Sequence, residues 1–149
     1  MSTLADPRVR AACRERIQSL GPNASAKWGR MAAHQMLCHL NDSFRVGMGE
    51  KYASPATSLL QRTLIKWIAL RAPLRWPPGV PTRPEIEQGR GGTRPSEWES
   101  DRRELLGLID SFADQRTFGV HPTFGAMSQR DWLTWGYRHV DHHLRQFGV

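Results

Sequence analysis

The stretch Ser128–Phe147, SQRDWLTWGYRHVDHHLRQF, decides the fold. Ser128 is placed to cap a helix, and Asp131 three residues on can return the capping bond while its charge suits the positive helix end. Gly148 stands where that helix would stop. Between these limits Trp132, Trp135, His139, His142 and Gln146 recur by three and four, the signature of one helix face. His139 and His143 are four apart, so they stand one turn apart on the same side, with Cβ atoms about 5–6 Å from each other. In that fixed relation two imidazoles can share one metal ion. The same spacing also fits a solvated polar stretch, with Asp141, His142 and Arg145 facing water. A metal reading therefore requires a third ligand elsewhere in the chain.

The 149 residues suit a single domain, 1–149, large enough to bury about two-thirds of its unfolded surface. No run of eighteen apolar residues exists, which excludes a transmembrane helix. The opening residues, MSTLADPRVRAACRER, carry charges where a signal peptide needs an apolar core, so the chain reads as cytoplasmic. In that compartment Cys13 and Cys38 are expected as free thiols. The net charge of +7 comes almost entirely from arginine. A basic chain attracts anionic partners, but these arginines are dispersed and form no tract, which weighs against nucleic acid as the partner.

Taken in order, Asp6-Pro7 opens a helix with a cap followed by proline at the first helical position. Val9, Ala12, Cys13, Ile17 and Leu20 form its apolar stripe, with Cys13 a small core residue, and Gly21-Pro22 ends it. A second helix, Met31–Gly47, presents Met36, Leu37, Leu40 and Phe44, with His39 and Ser43 on the flank. His39 supplies the obvious third imidazole, although alone it fits a hydrogen-bonded core histidine. His34, five residues away and roughly 140° round, cannot readily share its ion, and Cys38, about 100° round, points elsewhere.

Residues 48–94 are the least regular part. One helical run, Pro55–Ala72, sets Leu59, Leu60, Leu64, Ile65, Trp67 and Ile68 against Arg62, Lys66 and Arg71. A basic amphipathic helix can lie on a membrane, but packing on its own domain or on a partner subunit is the favoured reading. Five prolines from Pro73 to Pro84 and the glycines from Gly89 to Gly92 make the remainder a candidate lid. Periodicity returns over Pro95–Phe112 with Trp98, Leu105, Leu106, Ile109 and Phe112. The connector Ala113–Met127 carries His121, set apart from the pair by about 16 Å of helix axis from Ser128 to His139 and expected in a structural role or at a site rim. Nothing alternates with period two over a strand's length. The fold class is all-α.

Trp28, Gln35, His39 and Leu40, followed far downstream by His121, Pro122, Phe124, Gly125, Trp132, His139, Asp141, His142, His143, Arg145, Gln146 and Phe147, carry a resemblance. The chain resembles the DinB/YfiT-like superfamily of metal-binding helical bundles, within it a branch known only as a domain of unknown function. The likeness is specific in the two histidine segments and weak from Lys51 to Arg94. It implies a four-helix bundle of Asp6–Leu20, Met31–Gly47, Pro95–Phe112 and Ser128–Phe147, with a long crossover carrying Pro55–Ala72 as an extra helix. It also implies a three-histidine site of His39, His139 and His143, with His142 on its flank, and members often pair as homodimers. Characterised relatives include thiol transferases and isomerases acting on small molecules with a low-molecular-weight thiol cosubstrate, and others are assigned only as metal-dependent hydrolases.

Three neutral nitrogens suit a divalent transition metal, zinc or nickel ahead of iron, over magnesium or calcium, and leave a coordination position open. Such an ion can lower the pKa of water to about 7 or deprotonate a thiol outright. Arg138 and Arg145 are candidates to hold a carboxylate-bearing cosubstrate. Asp42 and Gln35, three after and four before His39, stand where a base or a hydrogen-bond partner of the ligands could sit. A non-catalytic helical module, with Trp-rich faces for dimerisation or partner binding, is the other reading.

Overall fold

The computed structural model describes residues 2–149, which form five α-helices with no strand among the described residues. Helix α1, Pro7–Ser19, starts at Asp6, whose carboxylate accepts the Arg8 N–H at 2.8 Å, with proline at the first position. Helix α2, Ala33–Met48, begins two residues later than the periodicity suggests and runs through Gly47. It ends at Gly49, whose left-handed φ of 80° no branched residue would adopt readily. Helix α4, Trp98–Asp114, is capped by Glu97, and helix α5, Gln129–Gln146, by the expected Ser128–Asp131 box.

The expected helix at Pro55–Ala72 is shorter. Residues 55–58 are non-helical, and the helical run comprises a π turn, Gln61–Ile65, that leads into α3, Lys66–Arg71. Proline at 55 lacks an amide hydrogen, and the Ala56 N–H is drawn away to the Pro122 carbonyl. The expected packing, on its own domain or on a partner subunit, is met on one side of the helix, where α3 lies on α5. Leu70 is buried against the core, but Leu59, Leu60, Leu64, Ile65, Trp67 and Ile68 are exposed.

Helices α1 and α2 each pack against α4 and α5, and α3 lies on α5. The core draws Cys13 and Ile17 from α1, Met36, Leu37, Leu40 and Phe44 from α2, Leu105, Ile109 and Phe112 from α4, and Trp132, Val140 and Leu144 from α5. Close approach depends on two glycines inside helices. A Cβ at Gly47 would lie 2.7 Å from the Phe112 ring, and one at Gly136 would lie 2.9 Å from Leu4. Burial of this apolar surface drives the four long helices together, and in doing so sets one face of α2 against one face of α5. No helix is long and apolar enough to cross a membrane among the described residues.

Candidate metal centre

His39 on α2 and His139 and His143 on α5 converge. The Nε2 atoms of His39 and His139 are 3.2 Å apart, as are those of His143 and His139. One nitrogen from each ring lies within 4.8 Å of both others. Two nitrogens bound to a tetrahedral ion at about 2.0–2.1 Å are separated by about 3.3–3.4 Å, so the spacing fits one shared cation.

The outer nitrogens settle which atoms face inward. His39 Nδ1 lies 3.1 Å from the Ile86 carbonyl oxygen, which can only accept, so the proton sits on Nδ1 and Nε2 carries a lone pair. His143 Nδ1 lies 2.8 Å from Gln146 Oε1, while the Gln146 amide group donates to the Trp28 carbonyl at 2.8 Å. That second bond fixes the amide orientation, so His143 Nε2 is also an acceptor. Two lone pairs therefore face His139 Nε2, which has at most one hydrogen to share between them. A cation at the common point resolves this conflict, and the outer bonds are those that orient imidazole ligands.

The electrostatics run the same way. Burial holds the His39 imidazole below its ordinary range, against small opposing effects of the Ile86 carbonyl and Asp42. Burial and the neighbouring rings push His139 and His143 well below it. All three are held toward the neutral form, so no imidazolium charge opposes a cation at the inward nitrogens.

The irregular segment after α3 closes over the site. The Trp76 ring stands 6.0 Å from His139 and 6.2 Å from His142, held by an indole N–H bond to the Ala69 carbonyl at 2.9 Å. A groove of about 380 Å³ runs beside it, lined in part by Leu74, Trp76, Tyr137, Arg138 and Asp141. His142 lies between Trp28 and Trp76, buried, with Nδ1 lacking a protein partner among the described residues. His121 stays apart from the three rings. Its Nδ1 accepts the Thr123 and Phe124 N–H groups, each at 3.1 Å, and burial drives its pKa down to about 3.

The remaining expected site residues lie off the three rings. Gln35 accepts the Ala32 N–H at 2.9 Å and serves the start of α2, which corrects its placement beside His39. Asp42 is fully buried but accepts from the Thr93 N–H and hydroxyl, both at 2.7 Å, and pairs with Lys51 at 2.9 Å. Its carboxylate thus holds the segment after Ile86 and contacts none of the three imidazoles directly. Arg138 donates to the Ala72 and Leu74 carbonyls, and Arg145 pairs with Asp141 at 2.9 Å, so both guanidinium groups are engaged within the protein. The Ile86 carbonyl, Trp76 and Thr93 were not legible as site elements, since a backbone acceptor leaves no mark in side-chain identity. Gln146 could have been found, because it stands three residues after His143 on one helix face.

A second cluster occupies another face of α2. His34 Nε2 lies 2.7 Å from Asp101 Oδ2, and the Cys38 thiol donates to the same oxygen at 3.6 Å. Asp101 also accepts from the Ser96 N–H at 2.9 Å and the Ser96 hydroxyl at 3.1 Å, which ties it to the approach to α4. Burial raises the Asp101 carboxyl, but Ser96, His34 and Cys38 bring it below the usual carboxylate range. Burial and Asp101 push the Cys38 thiol up to about 12, so it stays protonated. This cluster is a satisfied hydrogen-bond network, and its His–carboxylate spacing is too short for neighbouring ligands of a tetrahedral ion.

No curated protein and no solved structure matches the chain. The family model described as "Protein of unknown function (DUF1569)" matches residues 4–148, so the chain belongs to the DUF1569 family.

Proposed function

We propose that His39, His139 and His143 together hold one divalent transition metal, zinc or nickel ahead of iron, and that the protein is a cytoplasmic metal-dependent enzyme of the DinB-like four-helix-bundle type. The observation that carries this reading is the inward convergence of three neutral Nε2 atoms, two of them held as acceptors by the Ile86 carbonyl and the Gln146 amide. When bound, the metal supplies an acidic open position at which a thiol or a water loses its proton. The resemblance of the histidine segments favours the thiol, and with it transfer or isomerisation of a small electrophile, whereas water gives hydrolysis.

The chain's own residues prepare that position. Ile86 and Gln146 keep the ligand lone pairs aimed at one point, and Trp76 stands beside His139, the one half-buried ring of the three. Asp42 acts as a positioning residue. By clamping Thr93 it restrains the loop that brings the Ile86 carbonyl to His39. Leu74, Trp76 and Tyr137 offer an apolar seat for the substrate beside the imidazoles. The internal bonds of Arg138 and Arg145 occupy part of each guanidinium, which leaves fewer donors for an anionic cosubstrate and favours the second reading, a non-catalytic helical module.

Metal analysis of protein purified without a histidine tag, followed by turnover assays with a thiol and a panel of electrophiles, separates these readings. One metal per chain with thiol-dependent conjugation supports the enzyme. One metal with no turnover across the panel supports the module. Metal content unaffected by His39→Ala overturns the shared metal site and leaves the non-catalytic helical module, with the histidines structural.

A further inference from the structure

We propose that the outward face of the helical segment 59–71, together with the turn after it, binds an anionic lipid surface. Nine of the ten large apolar side chains exposed among the described residues lie between Tyr52 and Val80. Leu59, Leu60, Leu64, Trp67 and Leu74 are 72, 56, 52, 60 and 62 % exposed, a concentration that marks an interaction surface. The charge of the same segment points to the occupant. From Lys51 to Pro84 there is no aspartate or glutamate, but there are six cations, Lys51, Arg62, Lys66, Arg71, Arg75 and Arg83. Arg71 is neutralised by Asp131, while Arg62 and Arg75 stand exposed.

A second copy of this chain seated about a twofold axis would meet the patch with itself. Arg62, Lys66 and Arg75 would then face like charges, with no carboxylate in the segment to answer them. A bilayer bearing anionic headgroups answers both features at once. Leucines and tryptophan enter the boundary between headgroups and acyl chains, and the cations remain among the phosphates. Since no helix among the described residues is long and apolar enough to cross a membrane, the attachment is peripheral, with the long helices in water. The inference does not depend on the histidine site.

Sedimentation of the full chain with vesicles tests it. The account expects strong binding to an equimolar mixture of phosphatidylglycerol and phosphatidylcholine, weak binding to phosphatidylcholine alone, and loss in high salt. The double variant Leu64→Ser, Trp67→Ser should lose at least about tenfold in partition, because both residues face solvent and support no core packing. Arg62→Glu should weaken binding to the mixed vesicles and leave the helical circular dichroism unchanged. Equal binding of wild type and double variant overturns the proposal. So does a concentration-dependent dimer, seen by ultracentrifugation, that the double variant abolishes while vesicles bind neither form.

Discussion

Helix α2 presents two histidine clusters that look alike in composition and differ in how their polar atoms are satisfied. His34 meets a carboxylate, Asp101, at 2.7 Å, and that carboxylate accepts three further donors, so the network closes on itself. His39 meets two other imidazoles, and the partner of its outer ring nitrogen, the Ile86 carbonyl, takes the proton off the inward side. Buried polar groups require partners. The Asp101 network has them within the protein, whereas the three imidazoles turn two lone pairs on one ring nitrogen, an arrangement that a shared cation would satisfy. Nearness of ligand-type residues therefore does not define a metal site. The direction of their lone pairs does.

The largest expected difference follows directly. His39→Ala, His139→Ala or His143→Ala should abolish stoichiometric metal binding, while His34→Ala should leave the metal-to-protein ratio unchanged, as measured by elemental analysis. Loss of metal in the His34 variant would erase the distinction between the clusters. Asp101→Ala should do the reverse. It leaves the Ser96 and Cys38 donors and His34 without their acceptor, so chemical denaturation should show a loss of about 2–3 kcal/mol with metal affinity retained.

A smaller effect concerns the supports of the imidazoles. Gln146→Ala and Asp42→Ala should each weaken metal binding about 10–100-fold, the first by freeing His143 and the second through the loop that carries Ile86. Competition against a chromogenic chelator reads this, and an Asp42→Ala protein of unchanged affinity and turnover removes Asp42 from the account. A stability loss alone would not move the chelator midpoint.

The metal-free protein should also lose stability as the pH falls. His39, His121, His139 and His143 all have folded pKa values depressed mainly by burial, His121 to about 3. Below about pH 6.5 the unfolded chain binds protons that the folded chain refuses, so stability is present above that point and falls as the pH drops. Each histidine kept neutral contributes a slope of about 1.4 kcal/mol per pH unit once its unfolded form is fully protonated. Urea titrations from pH 7.5 to pH 5 check it (conditions chosen to span the titration), and His121→Phe should make the slope shallower by one proton. An unchanged slope would place His121 outside the titrating set.

The helices were legible where local rules govern. The Ser128–Asp131 box, the Asp6-Pro7 start and the three-and-four spacing of α5 all reappear, because caps and amphipathic faces are properties of adjacent residues. The meeting of His39 with His139 spans 100 residues of chain, so helical spacing made His39 a candidate and the two-part histidine pattern of the resembled superfamily singled it out. How much of helix 55–72 packs inward was not legible, because its apolar residues look the same in sequence whether they face a core or an external surface. Gln35 was misplaced for a related reason. Its helical offset from His39 is right for a contact, but the unsatisfied Ala32 N–H at the helix start was a nearer demand.

The central claim is that three imidazoles of this chain share one ion. Elemental analysis of tag-free protein after exhaustive dialysis, compared with the His139→Ala variant, tests it most directly. The account predicts one transition metal per wild-type chain and none in the variant, with both proteins folded by circular dichroism. Equal, substoichiometric metal in the two would contradict it.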